Sequence, residues 1–202
     1  MKPQLLVPAA IFLLASSAAS VADNYLPSSR SVGAPAGFID ACAHYGWLCS
    51  NAGPTRGADS SQLTLLKQVN ARVNSSVRPV DDLSGTGLSE SWSLPTDGTG
   101  DCEDYALLKY KRLVEAGFDH GNLALSVVLD KRGNNHVVLV ARMESGDVVL
   151  DSLAGSVKPW NRTGYTFVAH QGFQKKSQWK VSVAGPRARQ LLKREAASGA
   201  RR

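Results

Sequence analysis

The 202-residue chain has a globular composition, with 43% hydrophobic residues, 20% charged residues and a formal net charge of +6. Lys2 and the tail from Arg187 to Arg202, which holds six bases and one acid, account for this excess, so residues 23–186 carry no net charge. Nucleic-acid-binding proteins concentrate positive charge on a folded face, and nucleic acid is therefore excluded as an expected partner. We predict a disordered basic tail over residues 186–202, with weak attachment to an anionic surface as the alternative.

The first 22 residues have the pattern of a signal peptide. Lys2 gives a positive start, residues 5–14 form an apolar run, and Ser20-Val21-Ala22 matches a signal peptidase site. We predict cleavage after Ala22, with cleavage after Ser20 as the alternative. The apolar run is shorter than the roughly 18–20 residues of a membrane span, which disfavours an anchor helix. We therefore expect a periplasmic or secreted protein.

Residues 23–57 form an N-terminal extension that is rich in Ser, Pro and Gly as far as residue 37 and is predicted to be extended there. In an oxidising compartment Cys42 and Cys49 are close enough in sequence to pair, and a loop this short contributes about 2–3 kcal/mol. Cys102 is then unpaired, which in an exported protein makes it a candidate reactive thiol. An inert buried thiol is the alternative.

A first long helix is predicted to begin at Asp59, Ser60 or Ser61 and to run to about Val77. Its apolar residues recur at steps of three and four, which is typical of a helix with one buried face. They are Leu63, Leu66, Val69, Val73 and Val77. The polar stretch 78–100, which contains Trp92, follows as a long irregular segment, and such segments are often functional loops.

A second long helix is predicted from about Cys102 to Ala116, with Gly117 placed to end it. Alternating aliphatic residues then predict a strand that ends at Leu129. Further β signals occupy residues 136–142, 148–150, 165–168 and 179–183. Helices followed by an antiparallel sheet indicate an α+β domain over residues 58–185.

The segment Gly98–Ala106 places a cysteine in the first turn of the second helix. A helix N-terminus carries about half a positive charge and free N–H groups, so it favours a thiolate and can receive an oxyanion. A nucleophilic cysteine also requires a base and a group that orients the base. His136 opens one predicted strand and Asp151 ends the next. Taken singly, a histidine on a strand and an aspartate at a strand end are more often structural residues.

The spacing of His136 and Asp151 along two successive strands is compatible with their side chains lying on the same face of the sheet. The two side chains share a face if their strands form a hairpin with an even-numbered loop. Direct opposition requires a Met143-Glu144 loop. Turn chemistry instead prefers Ser145-Gly146, which separates the two residues by about 13 Å. The sequence leaves both registers open.

The ungapped run Gly98–Ala106, followed by Lys109-Tyr110, resembles the transglutaminase-like cysteine peptidases of bacteria, whose LapG-like branch consists of periplasmic proteases. The resemblance covers roughly residues 60–183 and includes Trp92 with Pro95. It implies a papain/transglutaminase-like α+β fold, in which the helix bearing the nucleophile packs against an antiparallel sheet. Carried over to this chain, the resemblance makes Cys102 the nucleophile, His136 the general base and Asp151 its orienting partner.

The resemblance also implies partners and a metal. The implied partners are a protein substrate in the cell envelope, such as a surface adhesin, and a regulatory receptor in the membrane; no organic cofactor is implied. Calcium ligands of the family map to Asp101, Glu103 and Asp104. Three carboxylates beside a thiol oppose thiolate formation, and a Ca²⁺ ion would cancel that repulsion. The alternative is that these acids cap the helix.

The resulting hypothesis is an exported cysteine peptidase that cleaves a peptide bond in an envelope or surface protein through a Cys-His-Asp triad. A protein-glutamine acyltransferase that cross-links proteins passes through the same thioester and is the first alternative. A catalytically silent binding module on the same fold is the second.

Overall fold

The computed structural model describes residues 24–80 and 91–199, so the predicted signal peptide lies outside the described residues. The helices are α1 Ala36–His44, α2 Gly46–Cys49, α3 Leu63–Ser76, α4 Cys102–Glu115 and α5 Ala188–Gly199. The strands are β1 Ser31–Val32, β2 Arg78–Pro79, β3 Thr99–Gly100, β4 Leu123–Leu129, β5 Asn135–Met143, β6 Gly146–Leu150, β7 Lys158–Pro159, β8 Thr166–Gln171 and β9 Trp179–Ala184. Within these ranges no helix has the length and apolar character that a membrane span requires.

Seven strands form one antiparallel sheet in the order β1-β9-β8-β4-β5-β6-β7. The short strands β2 and β3 pair in parallel outside it. The helix α4 packs on β5 at the centre of the sheet, and α3 packs on α4. This is the α+β arrangement that the sequence predicts, with the cysteine-bearing helix lying against an antiparallel sheet.

The sheet is buried on both faces, as the alternation along β5 shows. Val137, Leu139 and Ala141 point toward the helices and join the larger hydrophobic core. Val138 and Val140 point the other way, into a second core with Phe167 and Tyr165 as its aromatic members. Because side chains alternate across a strand, His136 lies on the side of this second core, whereas Cys102 approaches from the helix side.

The N-terminal extension is part of this fold. The N–H of Leu26 donates to Asp147 on β6 at 2.9 Å, and β1 pairs with β9 at one edge of the sheet. Ala58 exchanges backbone hydrogen bonds with β5 and the turn after it. Residues 24–58 therefore add a strand and several contacts to the sheet, and the boundary predicted at residue 57 separates no structural unit.

The short helices α1 and α2 are joined by the predicted disulfide between Cys42 and Cys49. Phe38 on α1 is buried and makes edge-on contacts with Trp92 and Trp179, whose ring centroids lie 5.9 and 5.1 Å away. The disulfide thus fixes a small helical unit whose aromatic side chain enters the main core.

The basic tail contains a helix where the sequence analysis predicted disorder: α5 covers Ala188–Gly199. Ala, Leu, Arg, Lys, Gln and Glu, which make up most of it, are strong helix formers. Long-range contacts anchor this region to the fold. The N–H of Arg187 donates to Thr166 on β8 at 2.9 Å, and Glu195 forms an ion pair with Arg30 beside β1. These long-range contacts are absent from any local sequence pattern.

Candidate active site

Cys102 is the first residue of α4, as predicted, and glycines shape the chain that leads to it. Gly98 has a φ of +77°, a conformation that favours glycine. At Gly100 a Cβ atom would lie 2.7 Å from the Asp104 side chain, so only glycine leaves room for the buried carboxylate. The N–H of Tyr105 makes the first helical bond, to the carbonyl of Asp101 at 3.1 Å. The cysteine is therefore placed among the free N–H groups of a helix start.

The sulfur of Cys102 lies between a strand and a carboxylate. Its Sγ accepts the N–H of Val137 at 3.4 Å and donates to Oε2 of Glu103 at 3.0 Å. Burial and the charge of Glu103 raise the pKa of the Cys102 thiol well above its usual range. Burial also raises the pKa of Glu103, and the nearby Asp101 carboxylate adds to that shift. In this arrangement burial and negative charge oppose the stabilisation of a thiolate by the helix dipole.

His136 and Asp151 meet as predicted, with Nε2 of the imidazole 2.7 Å from Oδ1 of the carboxylate. Both side chains are buried. The imidazole ring also makes an edge-on contact with the ring of Tyr165, with centroids 5.8 Å apart. Because Nε2 is engaged by the carboxylate, Nδ1 is the ring nitrogen that remains for a second partner.

The hairpin that joins β5 and β6 adopts neither of the two registers considered from the sequence. Met143 pairs with Gly146 and Leu139 with Leu150, which gives a Glu144-Ser145 loop. This register places Asp151 diagonally across from His136 on the same face, a separation that a carboxylate and an imidazole can span. The prediction that His136 and Asp151 share a face is confirmed. The Met143-Glu144 and Ser145-Gly146 loops considered from the sequence are both wrong.

The physical reason for this register lies outside the hairpin. The N–H of Glu144 donates to the carbonyl of Ala58 at 2.9 Å, and its own carbonyl accepts the hydroxyl of Tyr25 at 2.7 Å. Gly146, with a φ of +131°, follows the loop as the first residue of β6. Contacts from the N-terminal segment therefore hold the turn one residue before the Ser145-Gly146 pair that turn chemistry favours.

Asp151 has three partners on its carboxylate. Besides His136, the hydroxyl of Tyr165 donates to Oδ2 at 2.6 Å and the N–H of Leu153 donates to Oδ1 at 3.0 Å. Burial alone would raise the pKa of Asp151, but these hydrogen bonds outweigh it and lower the pKa below its usual range. Asp151 is therefore a carboxylate at neutral pH and can stabilise a positively charged imidazole beside it.

Two asparagines of α3 hold the backbone of Asp151. The N–H of Asp151 donates to Oδ1 of Asn70 at 3.0 Å, and Nδ2 of Asn74 donates to its carbonyl at 2.9 Å. Neither asparagine, nor Tyr165, was among the site residues predicted from the sequence. A signal was present, because Asn70 lies on the apolar stripe of α3 between Leu66 and Val73, and a buried polar residue requires a partner.

The structure does not gather Asp101, Glu103 and Asp104 into one calcium site. Oδ1 of Asp104 accepts the N–H of Ser93 at 2.8 Å, and Glu103 is turned toward the thiol. Successive helical residues point about 100° apart, so these two carboxylates face different neighbours. No three or more His, Cys, Asp or Glu side chains of the described ranges are arranged to hold a metal ion. Asp101 occupies the N-cap position but makes no side-chain capping bond.

A profile of the family described as bacterial transglutaminase-like cysteine proteinase (BTLCP) matches residues 28–187, which is most of the chain. The chain belongs to this family. It is thus a cysteine peptidase of the transglutaminase-like superfamily, and the predicted enzyme class and fold are confirmed. The matched range includes β1 and the disulfide-bonded helices, in agreement with their integration into the sheet.

Solved structures of LapG from Legionella pneumophila resemble this family member. One of them has 26% identity and a TM-score of 0.51, covering 66% of this chain and 75% of the LapG chain. A calcium-bound LapG structure has 26% identity and a TM-score of 0.51, over 65% of this chain and 79% of the other. An EGTA-treated structure has 25% identity and a TM-score of 0.48. A comparison with curated protein sequences gave no match.

Proposed function

We propose that this family member cleaves a peptide bond in an envelope or surface protein, with Cys102 as nucleophile, His136 as general base and Asp151 as its orienting group. Two contacts carry the proposal: the hydrogen bond of 2.7 Å between His136 and Asp151, and the contact of the Cys102 sulfur with the N–H of Val137, the residue after His136. An ionised and multiply bonded Asp151 supports the role assigned to it, because an imidazolium formed during the reaction is stabilised by a fixed negative charge.

In the proposed mechanism Nδ1 of His136 takes the proton of the Cys102 thiol as the sulfur attacks the scissile carbonyl carbon. The oxyanion that forms accepts hydrogen bonds from N–H groups at the start of α4. When the tetrahedral intermediate collapses, the C–N bond breaks and the imidazolium protonates the leaving amine. Water then adds to the thioester with His136 as base, which releases the carboxylate product and restores the thiol.

The proposed location is the periplasm or the exterior. The pattern of residues 1–22 and the disulfide between Cys42 and Cys49 support it, since disulfides persist in oxidising compartments. An adhesin-like surface protein remains our candidate substrate, and a membrane receptor our candidate regulator.

We propose Asp101 and Glu103 as the side chains that would bind a calcium ion. These carboxylates interact with each other beside the thiol, a concentration of negative charge that suits a hard cation. We leave Asp104 out of the proposed site, because its Oδ1 faces Ser93. A bound Ca²⁺ ion would supply positive charge that offsets the two carboxylates. The calcium-bound state of the LapG relative motivates the test of this point.

The deciding experiment compares the termini of envelope proteins by mass spectrometry in cells that produce the wild-type chain or Cys102→Ala. We expect at least one envelope protein to be shortened only with the wild-type chain. The melting temperature of the purified variant controls for folding. Identical termini in the two strains, with a folded variant and equal protein levels, would oppose the proposal. A primary amine added to the purified reaction separates hydrolysis from acyl transfer by the mass of the product.

A further inference from the structure

A groove of about 710 Å³ opens beside Asp151 and Tyr165, on the face of the sheet opposite α4. One wall is the turn between β4 and β5, residues 130–134, and the other is the loop after β6, residues 151–156. Lys158 on β7 also lines the groove. We call this feature the basic groove. It adjoins the proposed catalytic residues at Asp151, which lines the groove and binds His136.

The basic side chains that line the basic groove have no ion-pair partners among the described residues, whereas its acidic side chains are hydrogen-bonded. Lys131, Arg132 and Lys158 line it, and none of the three forms an ion pair with another described residue. The carboxylate of Asp130 is occupied within its own turn, where it accepts the N–H groups of residues 133 and 134 at 2.7 and 2.8 Å. Asp151 is occupied by His136 and Tyr165. The lining therefore holds three cations without a salt-bridge partner in the described part of the chain, against two carboxylates that are engaged in hydrogen bonds, a net positive charge.

The wall that carries two of these cations is held in place. The guanidinium of Arg187 donates to the carbonyls of Lys131 and Arg132 at 3.4 and 3.2 Å, which braces the turn from outside. The aliphatic part of the Lys131 side chain packs over Gly164. Its Cε atom lies 3.3 Å from the point that a Cβ atom would occupy if residue 164 had a side chain. A preformed wall loses less conformational entropy on binding a charged ligand than a mobile one.

We propose that the basic groove binds an acidic segment of the substrate polypeptide next to the scissile bond. This inference rests on the proposed function. An extended chain advances about 3.3 Å per residue, so a substrate whose carbonyl lies between Cys102 and His136 reaches the groove within a few residues. The groove then selects cleavage sites with Asp or Glu on one side of the bond.

The first test measures binding without catalysis. In the Cys102→Ala chain, a fluorescein-labelled peptide containing four glutamates should bind more tightly than its glutamine counterpart, with an affinity that falls as salt rises. Lys131→Met with Lys158→Met should weaken binding of the acidic peptide about three- to tenfold, because two surface charge pairs are lost. Lys67→Met, at an exposed position of α3, is the matched control and should leave binding unchanged. Equal affinity for the two peptides would overturn the proposal.

The second test uses the active wild-type chain on a proteome-derived peptide library, with new termini read by mass spectrometry. We expect acidic residues to be enriched within a few positions on one side of the cleaved bonds, and this enrichment to fall in the double Met variant. Cleavage without acidic enrichment overturns the groove inference and leaves the proposed function standing. A lack of any cleavage that depends on Cys102, together with tight binding of the acidic peptide, instead counts against the proposed function.

Discussion

Asp151 is fixed more firmly than an ordinary residue at a strand end. Its carboxylate accepts three hydrogen bonds and its backbone makes two more, to Asn70 and Asn74. A carboxylate restrained in this way holds the imidazole of His136 in one orientation and favours the tautomer with a proton on Nε2. The contribution of Asp151 should therefore be larger in catalysis than in folding.

We predict that Asp151→Asn lowers kcat by about a hundredfold or more, because an amide can hold the ring in the wrong tautomer. Tyr165→Phe is the matched control: it removes one hydrogen bond to the same carboxylate and should lower kcat by about tenfold or less. Steady-state kinetics and thermal melts of both variants measure the effects. Equal losses of rate in the two variants would contradict the special role of Asp151.

The acids around Cys102 differ in their surroundings, which gives the calcium proposal a sharp test. Asp101 and Glu103 interact beside the thiol, whereas Asp104 is bound to Ser93. Removal of one ligand from a calcium site weakens binding, while an acid outside the site contributes little.

We predict that calorimetry detects Ca²⁺ binding to the wild-type chain at millimolar concentrations or below. Asp101→Asn and Glu103→Gln should each weaken that binding about tenfold or more, and Asp104→Asn should change it much less. EGTA should lower the melting temperature of the wild-type chain. If calorimetry shows no heat of binding, the acids act only on the helix and the thiol.

At the scale of helices and strands, the regular patterns were predictable and the contacts between elements were not. Apolar spacing placed α4, β4 and the end of α3 within a residue or so of their observed limits, because each buries one regular face. The predicted start of α3, at Asp59 to Ser61, is instead a 3-10 turn over Ser60–Gln62, and the α-helix begins at Leu63. The register of the β5–β6 hairpin depends on Ala58 and Tyr25, which lie outside it. The contact between Tyr165 and Asp151 could not be predicted from the sequence either, since it depends on the position of β8 in the sheet.

The α1–α2 unit is the element whose stability depends most on a covalent bond. We predict that the double substitution Cys42→Ser with Cys49→Ser lowers the free energy of unfolding by about 2–3 kcal/mol, measured by urea denaturation. Cys102→Ser, which leaves the disulfide intact, is the control and should cost much less. Thiol titration of the denatured, unreduced wild-type chain should find one reactive thiol. Three reactive thiols would show that the pair is reduced.

At the scale of the whole molecule, a buried histidine links stability to pH. His170 on β8 is hydrogen-bonded to Ser182 on β9, and burial together with the charges of Arg142 and Lys180 lowers its pKa to about 4. An unfolded chain binds the proton at a pKa near 6.5. Between these two values the unfolded state binds more protons, so the folded state loses stability as the pH falls.

We predict that the free energy of unfolding decreases by about 1–3 kcal/mol between pH 6.5 and pH 4 because of this group. His170→Asn should flatten that dependence, although it lowers stability at pH 7. A substitution of the exposed His44 by Asn serves as the control. Denaturation curves across the pH range give the slopes, and a slope that is the same with and without His170 would contradict the assignment.

The pairing of β1 with β9 has a consequence for when the enzyme becomes active. Ser31 and Lys180 are separated by 149 residues, whereas the two bridged cysteines are separated by seven. Closing the longer loop costs about 3 kcal/mol more in chain entropy, so the α1–α2 unit can form early as the chain folds, and the sheet closes later. The strands that bring Tyr165 to Asp151 and Arg187 to the groove wall arrive last. Under the proposed mechanism, a folding chain would therefore hold Cys102 in its helix before the residues that fix Asp151 are in place, and peptide cleavage would reach its full rate only after the sheet has closed.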